Sequence, residues 1–248
     1  MITSRDNARV KHWAKLARDG RYRKSQRKAL IEGPHLLEAY LAAGARPVEV
    51  IRSGETVSDA VFRSIVDVES PQGVAAEIEI PAQKEDSKCD VVFLEGIQDA
   101  GNVGAIIRSA AAFGIGTVVL DQGCADPWSP KVLRAGQGGH FSLRVTSVAS
   151  LASELSRFSG KVICTVAAGG AVLGKADLSG RLGWVFGSEG RGLDPETLAE
   201  ADLQVTIPLA PRTESLNVAA AAAICLYEAS RRKPGSEPDL VSRPAGRS

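Results

Sequence analysis

Aromatic residues make up only 5% of this chain, and there are four cysteines, too far apart to form a CxxC pair or a Cys/His cluster. That spacing argues against a zinc site, and no metal is expected. Cys89, Cys124, Cys164 and Cys225 lie mostly in or beside apolar runs, the pattern of buried reduced thiols. No apolar run approaches the roughly 18 residues that a membrane helix needs. The opening stretch "MITSRDNARVKHW" lacks the apolar core of a secretory signal, so a cytoplasmic protein is expected. Neither G-x-G-x-x-G nor a P-loop occurs, which weighs against a dinucleotide enzyme or an NTPase.

Charge is nearly balanced overall, at +1, but it is unevenly placed. Residues 1–28 hold ten Lys/Arg against two Asp, which leaves the remainder acidic. A basic head on an acidic body suggests a polyanionic partner; the alternative is a solvated helix face. Few aromatics sit among these cations, so shape and backbone charge outweigh base stacking as the expected mode of contact.

Periodicity divides the chain. "NARVKHWAKLAR" spaces Val10, Trp13, Leu16 and Ala17 as a helix, and "EGPHLLEAYLAAG" follows as a second, with Pro34 in its first turn. "PVEVIRS" and "GVAAEIEIP" read as strands. These give a small α/β domain over 1–83, followed by a polar linker over 84–90. From 91 to 231 strands and helices alternate, which implies a parallel sheet. The strands are "VVFLEGI", "TVVLD", "KVICTVAA", "LGWVFGS" and "LQVTIPL". The helices are "AIIRSAAAFG", "SVASLASELSRF", "DPETLAEA" and an alanine-rich final one. Residues 232–248 have three prolines and few apolar side chains, the composition of a disordered tail.

In such sheets ligands bind at the carboxyl ends of strands. Three loops fall there. The first, "EGIQDAGNVG", precedes a helix in which Arg108 interrupts an otherwise apolar run. A guanidinium there needs an acceptor, either an internal carboxylate or a phosphate or ribose. Asn102 is either the N-cap of that helix or a ligand contact. The second, "VFGSEGRGLDPE", is an open glycine-rich turn around Glu189. The third, "IPLAPRTESLNV", runs a polar stretch ending at Asn217 into five alanines, Ala219 to Ala223. Ser215 or Asn217 can cap that helix, and the alanines let another segment, a cofactor or a second subunit approach closely.

Together "DAGNVGAIIRSAAAFG", "VFGSEGRGL" and "IPLAPRTESLNVAAAAAICLYEA" resemble, in order and spacing, the three motifs of the SpoU/TrmH branch of the SPOUT methyltransferases. The resemblance spans Val91 to Arg231. "WSPKVLRAGQGGHFSLRV" is similar to another family segment but has Gly136 and Gly139 where the family usually has Ser and Ala. Ala100 stands where a proline is common. "RKALIEGPHLLEAYLAAG" resembles, less specifically, the family's ribosomal-protein-L30-like substrate-binding domain.

The resemblance implies an α/β fold: a SPOUT-type parallel sheet with a deep trefoil knot, plus a small N-terminal L30-like α/β domain. The knot is carried by the resemblance alone. It also implies a homodimer, with the active site near the subunit interface, that uses S-adenosylmethionine to methylate a ribose 2′-hydroxyl in RNA, with ribosomal RNA favoured. DNA is not expected as a partner. A tRNA substrate, or RNA binding without catalysis, are the alternatives. By the same resemblance Arg108, Asn102, Glu189, Ser215 and Asn217 form the polar catalytic constellation. Arg108 is placed at the ribose and phosphate as an electrostatic stabiliser, and Glu189 orders the loops. The methyl donor's adenine is placed against Ala167, Gly187, Ile207 and Leu216.

Overall fold

The computed structural model describes residues 1–66, 68, 70–82 and 86–232. The predicted tail from 233 onward, and residues 84 and 85 of the predicted linker, lie outside them.

The N-terminal part contains α1 (Ala8–Arg18), α2 (Gly20–Gln26), β1 (Lys28–Glu32), α3 (Pro34–Ala42), β2 (Glu49–Arg52), α4 (Asp59–Ile65) and β3 (Val74–Glu79). Its three strands form an antiparallel sheet in the order β1-β3-β2. Asn7 caps α1, and the four residues picked out by helical spacing, Val10, Trp13, Leu16 and Ala17, are its buried face. Strand β1 and helices α2 and α4 were not read from the sequence. Helices α2 and α4 have seven residues each, too few for an apolar period to stand out. They are fixed by side-chain caps from Asp19 and Ser58.

The second part contains β4 (Val91–Glu95), α5 (Ala100–Ala112), β5 (Thr117–Leu120), α6 (Pro130–Gly136), β6 (Arg144–Ser147), α7 (Leu151–Leu155), β7 (Lys161–Thr165), β8 (Ala171–Val172), β9 (Leu182–Gly187), α8 (Pro195–Ala199), β10 (Leu203–Thr206) and α9 (Val218–Arg232). Seven strands form one sheet in the order β6-β5-β4-β9-β7-β10-β8, and every pairing is parallel. One face packs on α5 and α9 through Ile106, Ile107, Trp184, Phe186, Ala222 and Leu226. The other packs on α7 and α8 through Phe93, Val162, Leu155 and Leu193.

Helix α5 begins earlier than its apolar pattern suggests. Asp99 accepts a hydrogen bond from the Asn102 amide at 2.7 Å, which draws "AGN" into the first turn. Asp99 is therefore the cap, and Asn102 is not. Helix α6, also missed in the sequence, packs on α5 at Gly104. A Cβ on Gly104 would meet Ala135 Cβ at 2.4 Å and Val132 O at 2.6 Å. The close approach that this glycine permits is to α6, not to a ligand.

The two sheets are joined by a shared apolar cluster. Ala29, Ile31, Leu36 and Tyr40 meet Trp128, Leu133 and Phe141. Tyr40 and Phe141 stack edge to face with ring centroids 5.1 Å apart. Beside them Arg23, only 4% exposed, donates to Asp126 through Nε at 2.9 Å and Nη2 at 2.5 Å. Its Nη1 donates to the carbonyls of Leu16 and Ala17. A buried guanidinium with all three nitrogens engaged fixes the orientation of one part on the other.

Candidate active site

The loops after β4, β9 and β10 converge at the carboxyl edge of the large sheet. Glu189, from the turn after β9, accepts hydrogen bonds at Oε1 from Asn102 Nδ2 (3.2 Å), Asn217 Nδ2 (2.8 Å) and the Val218 amide (3.3 Å). Asn217 Nδ2 also donates to Asn102 Oδ1 at 2.9 Å. One carboxylate thus ties three loops together. Asn217 also caps α9, its Oδ1 accepting from the amides of Ala219 (3.0 Å) and Ala220 (3.2 Å). That resolves the choice between Ser215 and Asn217 in favour of Asn217, whose amide donates outward while its carbonyl caps inward.

An apolar cleft opens beside this cluster, where β9, β7 and β10 end. Ala167, Gly187, Ile207 and Leu216 all line it, as do Glu189 and Ser215. Phe186, Val205 and Leu209 form much of its remaining wall. The amides of Ser215 and Leu216 donate no hydrogen bond among the described residues. The lining is therefore mainly apolar side chains plus open main-chain groups, joined by Thr165, Ser188 and Ser215 and by Glu189 and Glu214. This donor set fits a flat heteroaromatic ring joined to a cationic group.

Arg108 stands elsewhere. It is exposed on α5 and, among the described residues, makes no hydrogen bond or ion pair. It lines a different cavity, with Ala39, Gln137 and Phe141, that shares no residue with the apolar cleft. Of the two acceptors foreseen for it, an internal carboxylate is not supplied by the described residues, which leaves a phosphate or ribose.

Two further carboxylates support the site and were not read from the sequence. Glu95, 8% exposed at the end of β4, accepts from the Asp194 amide at 2.8 Å and from Thr197 Oγ1. It anchors the far end of the glycine-rich turn, a role expected of Glu189. Asp121, just after β5, accepts from the amides of Gly96 and Gly123, each at 3.0 Å. A single acid closing an apolar strand is the signal that both give. Burial pushes the Cys124, Cys164 and Cys225 thiols up to about 12, so they stay protonated and inert.

An all-parallel sheet with a three-loop polar cluster at its carboxyl edge is the frame of an α/β enzyme. The chain belongs to the SpoU rRNA Methylase family, which it matches over residues 90–227. Residues 7–56 match a substrate-binding domain described as MRM3-like. The chain is 35% identical to the 23S rRNA (guanosine(2553)-2′-O)-methyltransferase RlmP of Bacillus subtilis (strain 168), with 91% of this chain and 97% of that protein covered. The structure of an AdoMet-bound rRNA methyltransferase from Sinorhizobium meliloti superposes with a TM-score of 0.81 at 27% identity, covering 93% of this chain and 97% of that one. An RNA 2′-O ribose methyltransferase of known structure gives 0.77 at 30% identity, covering 93% and 98%. No helix of the described residues is long and apolar enough to cross a membrane.

Proposed function

We propose that this chain, as a homodimer, methylates a ribose 2′-hydroxyl in ribosomal RNA with S-adenosylmethionine as donor. The observation that carries the reading is the cluster of Asn102, Glu189 and Asn217 beside an apolar cleft with open amides. Ala167, Gly187, Ile207 and Leu216 would hold the donor's adenine, with Glu189 and Glu214 facing its positive charge. When bound, S-adenosylmethionine supplies a methyl group activated by the sulfonium.

The chain's own part is orientation and charge. Asn217 spends both amide hydrogens on Glu189 and Asn102 and so positions them, while Asn102 donates one amide hydrogen to Glu189 and keeps the other for a bound sugar, which then meets an oriented partner. Ser215, on the cleft wall, completes this polar set. Arg108 is a poor base, because a guanidinium keeps its proton. Its role is to stabilise charge developing on the ribose oxygen and to grip the neighbouring phosphate.

That role needs a second copy of the chain, since Arg108 and the cleft are separate within one. Gly101, Ala105, Arg108 and Ala112 lie three or four residues apart along the solvent-facing side of α5. Next to it α9 presents Ile224 (41% exposed) and Tyr227 (55% exposed), with Tyr227 5.8 Å from Phe113. Small residues around one arginine, flanked by an exposed apolar stripe, suit a self-complementary interface. The same reading gives the chain its family's trefoil knot, in which the slim, alanine-lined α9 is the threaded segment. Residues 1–83 serve as the RNA-binding domain, and the proposed location is the cytoplasm.

The test is methyl transfer from labelled donor to unmodified ribosomal RNA and, separately, to tRNA, followed by alkaline hydrolysis. Label in alkali-resistant dinucleotides from ribosomal RNA is the expected result. Label from tRNA alone moves the substrate, and label on mononucleotides alone contradicts ribose methylation.

A further inference from the structure

The basic head does not supply all of its charge to a partner. Of its ten cations, Arg9, Lys11, Arg23 and Lys28 are in ion pairs with Glu49, Asp6, Asp126 and Glu77. A different surface holds unpaired charge. Between the N-terminal helices and α6 lies a cavity of about 1000 Å³, lined by Arg18 and Arg63 on one wall and Lys131 and Arg134 on the other. Arg63, Lys131 and Arg134 are exposed and have no ion pair among the described residues. Arg18 donates one hydrogen bond, to the Ser64 carbonyl at 2.8 Å. Among the described residues the one carboxylate lining the cleft, Glu32, is occupied by the Gln72 amide at 2.8 Å.

The cleft also has a direction. Gln137, at the end of α6, lines both this cavity and the one that contains Arg108. The two cavities therefore meet at Gln137, with Arg18, Arg63, Lys131 and Arg134 in one and Arg108 in the other. The Arg23–Asp126 pair and the Tyr40–Phe141 cluster hold the walls in place before any ligand arrives.

We infer that this cleft is a preformed track for the single-stranded RNA backbone flanking the target nucleotide, its cations gripping successive phosphates and delivering the ribose to Arg108. The inference rests on the methyltransferase reading and adds residues of both structural parts to RNA binding. A single strand suits it because exposed cations on two facing walls contact phosphates without reading base edges.

The experiment compares three full-length proteins: wild type, a charge reversal (Arg63→Glu, Lys131→Glu, Arg134→Glu) and a charge-preserving swap (Arg63→Lys, Lys131→Arg, Arg134→Lys). Each is titrated with a fluorescein-labelled single-stranded RNA at several salt concentrations, and binding of S-adenosylmethionine is measured in parallel. With about 0.7 of log–log salt slope per single-strand phosphate contact, the reversal should flatten the slope by about 2 and weaken low-salt binding at least about tenfold. Donor binding should be unchanged, and the swap should keep the wild-type slope. A reversal that retains wild-type affinity and slope overturns the inference, as does a swap that loses as much as the reversal. If wild type methylates ribosomal RNA while the reversal binds RNA normally, only the track falls. If wild type neither binds RNA nor transfers methyl, the functional reading falls with it.

Discussion

Asn217 Nδ2 sits 2.9 Å from Asn102 Oδ1, joining the starts of two helices that are 115 positions apart in the chain. Both side chains also donate to one oxygen of Glu189, so the three residues form a closed triangle. Such a unit responds as a whole when one corner is removed.

Replacing Asn217 with Ala should therefore act twice. Loss of the α9 cap costs about 1 kcal/mol of stability. Loss of the triangle lowers methyl transfer by roughly 10²-fold or more, as for other preorganised polar groups. Asn217→Asp keeps an acceptor for the cap but places a carboxylate against Glu189. It should restore most of the stability and little of the rate, a split that denaturation and single-turnover kinetics will separate.

The same geometry predicts non-additivity. Asn102→Ala and Glu189→Ala should each lower activity strongly, and the double variant should be little worse than either alone. Additive losses in a double-mutant cycle would mean that the groups act independently.

Acid stability depends on His140. Its ring is fully buried, Nε2 donates to the Pro127 carbonyl at 2.8 Å, and Nδ1 has no partner. Burial lowers its pKa to about 4. The unfolded chain takes up this proton near the ordinary value of about 6.5 and the folded chain does not. The contribution is thus fully present above that value, falls as pH drops toward 4, and is then constant. The total is about 3 kcal/mol. Denaturant titrations across this window should show the decline, and His140→Gln should remove this part of it.

Gly136 is tied to the same ring. A Cβ there would fall 2.5 Å from His140 Cε1 and 2.7 Å from Nδ1. Gly136→Ala should cost about 1–3 kcal/mol through overpacking. In a His140→Ala background the cost should shrink, since the colliding atoms are gone. The departure of this position from the family pattern is thus matched by a large neighbour.

Arg23→Ala removes the guanidinium donor from Asp126 Oδ2 and from two carbonyls, while Asp126 Oδ1 keeps the Trp128 amide. Because the Asp126 side chain is 34% exposed, water recovers part of the loss, and about 2–3 kcal/mol of destabilisation is expected. Thermal denaturation measures it.

Much of this was legible in the sequence. Strands β4, β5, β7 and β9 are largely buried β-branched or aromatic runs, so they stand out as a parallel sheet, while β10 buries only Val205 and alternates with the exposed Gln204. The motif residues of the triangle and the cleft came from three loops whose spacing resembles one family. Short helices such as α4 and α6 left no period to read. Asp99 was passed over as the cap because Asn102 is an equally good capping residue by type, and only the backbone register separates them. The support given by Glu95 links residues 99 positions apart, which no local pattern reveals. The position of Arg108 outside the cluster has no local signal either; only the resemblance, through an active site near the subunit interface, implies that a second copy completes the site.

The most direct measurement addresses that last point. Arg108→Ala and Asn217→Ala chains, each inactive alone, are co-expressed, and the mixed dimers are tested for label in alkali-resistant dinucleotides. If Arg108 of one copy serves the triangle of the other, each mixed dimer holds one intact site, and roughly a quarter of wild-type activity returns in a statistical mixture. No recovery from well-formed mixed dimers would contradict the shared site on which the account depends.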